Sequence, residues 1–345
     1  MEAARPLKVA LVGCGSISGT WFQAMAGIPA LETVALVDIH PAAARQRASE
    51  FGLEHALIET DLERALAQTR PDLVFDCTVP ANHLTATLAA LRHGCHVLGE
   101  KPLADSMESA RRAVAAAQEA GRLYAVTQSR RYEPNIRRLK AFLDTGALGR
   151  LTALYCDFFI GAHFGGFREE MDHVLLLDMA IHHFDAARFL LGGAEARGVI
   201  CHDWNPPGSW YRHGAAATAT FEMADGSAFG YRGSWCAEGV PTSWQGSWRV
   251  VGERGSVLWD GESVFAAEVA ASNEGFLRSR QTVEVPAGDF SAQGRGHASV
   301  ISEFVAAVQR GTIPETVCTD NIKSLAMVFG AIESAERGQR VAMPV

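Results

Sequence analysis

Short apolar runs alternate with amphipathic stretches through the first third of the chain. Leu7 to Val12 (LKVALV) is rich in β-branched residues and nearly all apolar, as a parallel strand buried on both faces should be. Thr33 to Val37, Leu73 to Phe75, Cys95 to Leu98 and Leu123 to Thr127 repeat the pattern. Between them, Pro41 to Glu50, Asp61 to Gln68, His83 to His93 and Met107 to Glu119 have helical composition. Leu62, Ala65 and Leu66 share one face of the second of these, and Gly94 and Gly121 stop the last two. Such repetition predicts a doubly wound parallel sheet whose ligands lie at the carboxyl ends of the strands.

After about residue 150 the apolar period changes to two. Ala217 to Met223, the turn Ala224-Asp225-Gly226 and Ser227 to Trp235 read as one hairpin. Gln245 to Val251, Glu253-Arg254-Gly255 and Ser256 to Trp259 read as a second. Helices are expected at Leu175 to Leu191, His297 to Arg310 and Asp320 to Arg337. The expectation is an α/β domain over 1–127 and an α+β domain with a mostly antiparallel sheet over 128–345, joined compactly near Thr127 to Arg150.

With 345 residues, 48% of them hydrophobic, the chain can bury two substantial cores. No run approaches the 18 apolar residues of a membrane span, and MEAARPLKVA lacks the apolar core of a signal peptide, so a cytoplasmic protein is expected. A net charge of −8 offers no basic field for nucleic acid or an anionic membrane, which leaves a small molecule as the expected ligand. The seven cysteines are scattered without a CxxC, so neither a disulfide framework nor a zinc site is expected. Cys14, Cys77 and Cys95 read as small buried hydrophobes.

The first strand runs into GCGSISGT. Gly13 permits a sharp turn, and Gly15 lets the backbone approach a pyrophosphate, with Ser16 and Ile17 next in line as cofactor contacts. Ser18 stands where the fingerprint has its third glycine, and Gly19 follows. Asp38 ends the second strand, where a carboxylate accepts from the ribose hydroxyls of NAD and repels a 2′-phosphate. Ile39-His40 supplies no Lys or Arg to reverse that preference, so NAD is expected over NADP. Thr78, Pro80, Glu100 and Lys101 lie at later strand ends, where cofactor and substrate contacts belong.

The glycine turn, the Thr78-to-His83 stretch, the GEKPL run and the downstream DMAIHHFD, in that order, resemble the glucose-fructose oxidoreductase / inositol dehydrogenase / MocA (Gfo/Idh/MocA) family over essentially the whole chain. The resemblance implies an N-terminal Rossmann domain and a C-terminal open-faced antiparallel sheet used for homo-oligomer formation, as a dimer or tetramer. It also implies NAD(P)-linked chemistry on sugars, cyclitols or their derivatives. By position, Lys101, Asp178 and His182 match the family's catalytic residues, His83 and Gln128 join the cofactor contacts, and Arg131 becomes a substrate contact. Many members carry a glycine pair before the catalytic helix; here the segment is Met171-Asp172-His173-Val174.

Chemistry leads to the same residues. Oxidising a secondary alcohol needs a base on the hydroxyl proton, a role that suits neutral His182. Asp178, one turn earlier, can orient that ring or bind a neighbouring hydroxyl, and Lys101 can stabilise the alkoxide. His163 and Phe164, in the loop GAHFGGF, are further substrate-binding candidates. His183 and Asp185 read as structural, and a zinc site from Asp178, His182 and His173 lacks a fixing spacing, so no metal is expected. Trp235, Trp244 and Trp248 could stack on a sugar or cover the open sheet. Two alternatives to a dehydrogenase stay open: a redox-neutral glycosidase or lyase working by transient oxidation, and an NAD sensor, against which the trio argues.

Overall fold

The computed structural model describes residues 5–288 and 296–343. Two compact units emerge, one of Met1–Ser129 with Gly294–Ile322, the other of Arg130–Gln293 with Lys323–Val345.

The first unit carries six parallel strands: β1 (Leu7–Val12), β2 (Leu31–Val37), β3 (Leu57–Glu59), β4 (Leu73–Asp76), β5 (His96–Gly99) and β6 (Tyr124–Val126), in the order β3-β2-β1-β4-β5-β6. The order reverses between β1 and β4, which is where a doubly wound sheet opens its ligand crevice. Helices α1 (Ser16–Met25), α2 (Pro41–Phe51), α3 (Leu62–Thr69), α4 (Pro80–Arg92) and α5 (Met107–Ala120) connect the strands. Their ends follow local chemistry. Asp61 caps α3 by accepting from the Arg64 amide, Ser106 caps α5 by accepting from Ser109, and Gly52 and Gly121 take left-handed conformations that close α2 and α5. Pro80 begins α4 three residues ahead of the expected His83, because its fixed φ suits the first helical position.

The second unit is built on nine strands: β7 (Leu151–Phe159), β8 (Ala196–Trp204), β9 (Ala216–Met223), β10 (Ala228–Ser234), β11 (Ser247–Gly252), β12 (Gly255–Trp259), β13 (Phe265–Ala270), β14 (Arg280–Val283) and β15 (Val341–Ala342). Their order is β14-β13-β12-β11-β7-β10-β9-β8-β15, with β7 and β10 parallel and the other pairs antiparallel. Both expected hairpins are present, as β9–β10 and β11–β12. Helices α6 (Pro134–Asp144), α7 (Phe167–Glu170) and α8 (Ile181–Leu190) belong to this unit. The Phe184 ring of α8 packs on Phe221, Phe229 and Tyr231 at centroid distances of 4.9, 5.9 and 5.3 Å, covering one face of the sheet. The register aligns Ile200, Thr220, Gly230, Tyr155, Arg249 and Leu258 in one row across six strands, and Ile200, Tyr155 and Leu258 are exposed.

Two helices complete the chain, α9 (Gly296–Arg310) and α10 (Cys318–Arg337). Helix α9 groups with the first unit. His297 meets Trp21 edge-on at 5.9 Å, Phe304 meets Phe75 at 6.5 Å, and the Val126 amide donates to the Thr316 carbonyl at 3.1 Å. A single cut of the sequence does not contain this return of residues 294–322. Among the described residues no helix is long and apolar enough to cross a membrane.

Candidate active site

In the first unit, Gly13 takes φ +88°, and a Cβ there would lie 2.6 Å from the Cys77 carbonyl carbon and 2.7 Å from the Thr78 nitrogen. Only glycine fits where the turn after β1 lies against the end of β4. At Gly15 a Cβ would meet nothing within 4 Å, and Gly15 caps α1 with no side chain. Ser16 and Ile17, both exposed, open that helix, whose first amides therefore point out as an anion site. A cavity of about 550 Å³ adjoins the turn, lined among others by Gly13, Gly15, Asp38, Thr78, Asn82 and Arg92. Asp38 is held at its edge: one carboxylate oxygen accepts from the Cys14 amide at 2.7 Å, the other from the His40 amide at 2.8 Å. The Ser18 hydroxyl donates to the Gly15 carbonyl at 2.6 Å and accepts from Arg47 Nε at 3.1 Å, so serine in the third-glycine slot becomes a brace. Arg47 itself, on α2, stands at no motif spacing.

The loops after β4 and β5 are tied together from beneath. His83 is buried, its Nδ1 facing the Pro102 carbonyl at 2.8 Å and its Nε2 the Thr78 carbonyl at 3.0 Å. Its ring is thereby committed to bracing, while Thr78, ahead of Pro80, lines the cavity. Thr78 donates through its hydroxyl to Asp76 Oδ1 at 2.6 Å, and burial pushes the Asp76 carboxyl up. Glu100 is buried as well, accepting from Trp21 Nε1 at 2.7 Å, from His297 Nε2 at 2.8 Å and from the Lys101 amide at 3.1 Å. Burial alone would raise that carboxyl, but the hydrogen bond and charge of His297, with Trp21 and Lys101, hold it below the usual range. Glu100 thus anchors the backbone from which the half-buried Lys101 projects. Gln128 is fully buried, and its backbone N–H donates to the Val126 carbonyl at 2.7 Å.

In the second unit the expected helix over 175–191 begins as a π-helix, Leu175–Ala180, and becomes α-helical at Ile181. Such wide turns concentrate at functional sites. Asp178 and His182 are half-buried, as is Leu177, while Met179, Ala180, Ile181 and His183 between and beside them are buried. Arg168 Nε donates to Asp178 Oδ2 at 2.9 Å, and its guanidinium lies over Phe164 and Phe167 at 5.0 and 4.9 Å. His163 stacks on Trp210 at 3.7 Å and meets Glu238 at 2.9 Å. Phe164 stands edge-on to Trp235. The Ala162 carbonyl accepts from Trp210 Nε1 at 2.9 Å and from the Tyr211 hydroxyl at 2.5 Å, which fixes the root of this loop. Through Arg168, the unit brings the His163–Phe164 loop to Asp178.

Residues 7–128 match the oxidoreductase family model with an NAD-binding Rossmann fold, and residues 136–258 match the Gfo/Idh/MocA C-terminal domain. The chain belongs to the Gfo/Idh/MocA oxidoreductase family. Inositol 2-dehydrogenase 4 of Saccharopolyspora erythraea is 34% identical over 190 residues, 54% of this chain and 55% of that one. D-glucoside 3-dehydrogenase of Escherichia coli is 29% identical over 65% of this chain and 66% of its own. The crystal structure of an oxidoreductase from Agrobacterium radiobacter in complex with NAD+, L-tartaric acid and magnesium superposes with a TM-score of 0.85 over 97% of this chain and 98% of that one, at 22% identity.

The glycine turn and the uncapped start of α1 fit the pyrophosphate of the NAD that this family binds. Other expectations change. Arg131 is no exposed ligand: its Nε and Nη2 grip Asp185 at 2.9 and 2.5 Å, and both side chains are buried. Asp185 also accepts from the Ser324 hydroxyl at 2.8 Å, so the Asp185 of DMAIHHFD is a core ion-pair residue. Trp235 and Trp248 are each 1% exposed and so neither stack on solvent-borne sugar nor cover the open face; Trp244 alone of the three is exposed. Trp248, on β11, packs against Phe229, and Trp235, just past the end of β10, stands edge-on to Phe158. The missing glycine pair also has an answer: His173 takes φ +48°, the left-handed conformation a glycine adopts freely and a histidine holds at a cost of about 1–2 kcal/mol.

Proposed function

We propose that the protein is an NAD-dependent dehydrogenase acting on a secondary alcohol of a sugar, cyclitol or close derivative, with Lys101, Asp178 and His182 as its catalytic residues. The observation that carries this reading is the π-to-α junction, where Asp178 and His182 stay partly exposed beside buried neighbours and Asp178 is already oriented by Arg168. NAD, when bound, supplies the hydride acceptor. His182 takes the hydroxyl proton as general base. Asp178 orients the imidazole or a neighbouring hydroxyl, and the Lys101 ammonium stabilises the oxygen as it gains negative charge. Asp38, whose two oxygens each hold one backbone amide, accepts from the ribose hydroxyls and disfavours a 2′-phosphate. His163 and Phe164 contribute substrate contacts from the loop that Arg168 ties to Asp178. The names of the inositol and glucoside dehydrogenases among the relatives support this substrate class.

The exposed row Ile200, Tyr155 and Leu258 on the open sheet supports association with a second copy through that face. Sedimentation velocity of the chain and of a Tyr155→Glu variant tests it, a monomer in both cases arguing against it. For the chemistry, myo-inositol, D-glucose and methyl glucosides are offered with NAD while NADH absorbance and aglycone release are followed. Linear NADH formation on a free sugar or cyclitol supports the dehydrogenase. Aglycone release without NADH build-up replaces it with transient-oxidation chemistry.

A further inference from the structure

The segment leading into the π-helix contains a polar contact that no step of the reaction uses. His173 stands directly before Val174 and the π-helix, and its carbonyl accepts from the Leu177 amide at 3.0 Å, so it forms the first turn of the element that carries Asp178. Its imidazole Nδ1 is hydrogen-bonded to Asp203 Oδ2 on β8, and Nε2 lies 3.6 Å from Glu336 Oε1 on α10. The Asp203 side chain is 3% exposed, and its Oδ1 has no hydrogen-bond partner among the described residues. A buried carboxylate with so few donors needs a matching cation. A glycine would satisfy the backbone at residue 173 at no steric cost, so what the histidine adds is this tie to β8.

We infer that His173 is a positioning residue: pinned to Asp203, it fixes the start of the π-helix and thereby the placement of Asp178 and His182. The charged groups facing the ring are Asp203 from β8, Glu336 from α10 and Asp172 beside it, and Asp172 is itself 3.2 Å from His213. All three carboxylates favour the imidazolium, the Asp203 hydrogen bond most, and the ring's pKa is raised despite its partial burial. The pin is therefore strongest with His173 protonated and weakens as the proton leaves. The part of the inference that concerns catalysis rests on the proposed roles of Asp178 and His182; the part that concerns the segment's order does not.

The test compares the full-length wild type with His173→Gly, His173→Asn and Asp203→Asn by amide hydrogen exchange, thermal unfolding and calorimetric NAD binding. Glycine keeps the left-handed backbone and removes the pin, whereas asparagine tolerates the conformation and can still donate to Asp203. Expected are exchange over 175–182 faster by roughly tenfold or more in His173→Gly and Asp203→Asn, partial restoration in His173→Asn, and unchanged NAD affinity. Exchange in His173→Gly that matches wild type, or that rises equally across the whole second unit, overturns the inference. On whichever of the sugars or cyclitols above the wild type oxidises, kcat falls in His173→Gly with little change in the KM for NAD, and His173→Asn recovers part of it. If local exchange quickens as expected but wild type oxidises none of them, His173 still orders the segment and the dehydrogenase reading fails.

Discussion

Replacing Arg131 with methionine separates a core ion pair from a substrate ligand. The guanidinium and the Asp185 carboxylate are 6% and 0% exposed at the side chain, and two hydrogen bonds of 2.9 and 2.5 Å join them. Removing one partner of such a pair leaves a buried, uncompensated charge, which costs about 3–5 kcal/mol. Two features place this site at the lower end. Ser324 still donates to Asp185 at 2.8 Å, and methionine replaces much of the aliphatic stem. A loss of about 3 kcal/mol corresponds to a fall in Tm of roughly 6–12 °C for a unit of this size. The assay is thermal unfolding followed by circular dichroism, beside calorimetric titration with NAD, whose affinity should not change. Arg131→Met/Asp185→Leu, which removes both charges, should regain most of the lost Tm. A single variant within about 2 °C of wild type that loses turnover would refute the reasoning and return Arg131 to the substrate.

Because Asp38 presents a carboxylate at the end of β2, NAD should bind at least about tenfold tighter than NADP, a difference of ~1.4 kcal/mol, and equal calorimetric affinities would contradict that role. Lys101→Met and His182→Ala should each lower turnover by roughly 10²-fold or more with NAD binding nearly intact; a variant at wild-type rate removes that residue from the chemistry. The depressed carboxyl of Glu100 contributes stability that is present above the carboxylate's ordinary value of 4.5 and lost as pH falls through its lower folded value. Acid unfolding of Glu100→Gln should therefore be less steep below about pH 4.5 than that of wild type, and identical profiles would count against the anchor. The raised imidazole of His173 acts with the opposite sign: its contribution is complete below the ordinary 6.5 and is lost as pH rises through the folded value. Urea midpoints should accordingly drift less between pH 6 and 9 in His173→Asn than in wild type.

Much of this protein was legible along the chain because it depends on residues close in sequence. Buried parallel strands show as unbroken apolar runs, half-covered antiparallel strands as alternation, and the end of α5 as Gly121 acting within one turn. The glycine turn was legible for the same reason, since Gly13 answers a backbone requirement that only its type meets. What the sequence could not rank was side chains whose partners lie far away. Arg131 reads as a loop arginine near a pocket until it meets Asp185, 54 positions on, whose carboxylate is in turn held by Ser324, 139 positions further. The same holds for Trp235 and Trp248, whose expected strands could turn them to either face. The π-turn and the left-handed His173 lie at the same limit. Local propensity favours an uninterrupted α-helix and a right-handed histidine, and neither is what the folded chain adopts here. Burial, pairing and orientation are properties of the folded chain, because each is set by atoms the sequence places far apart and only packing brings together.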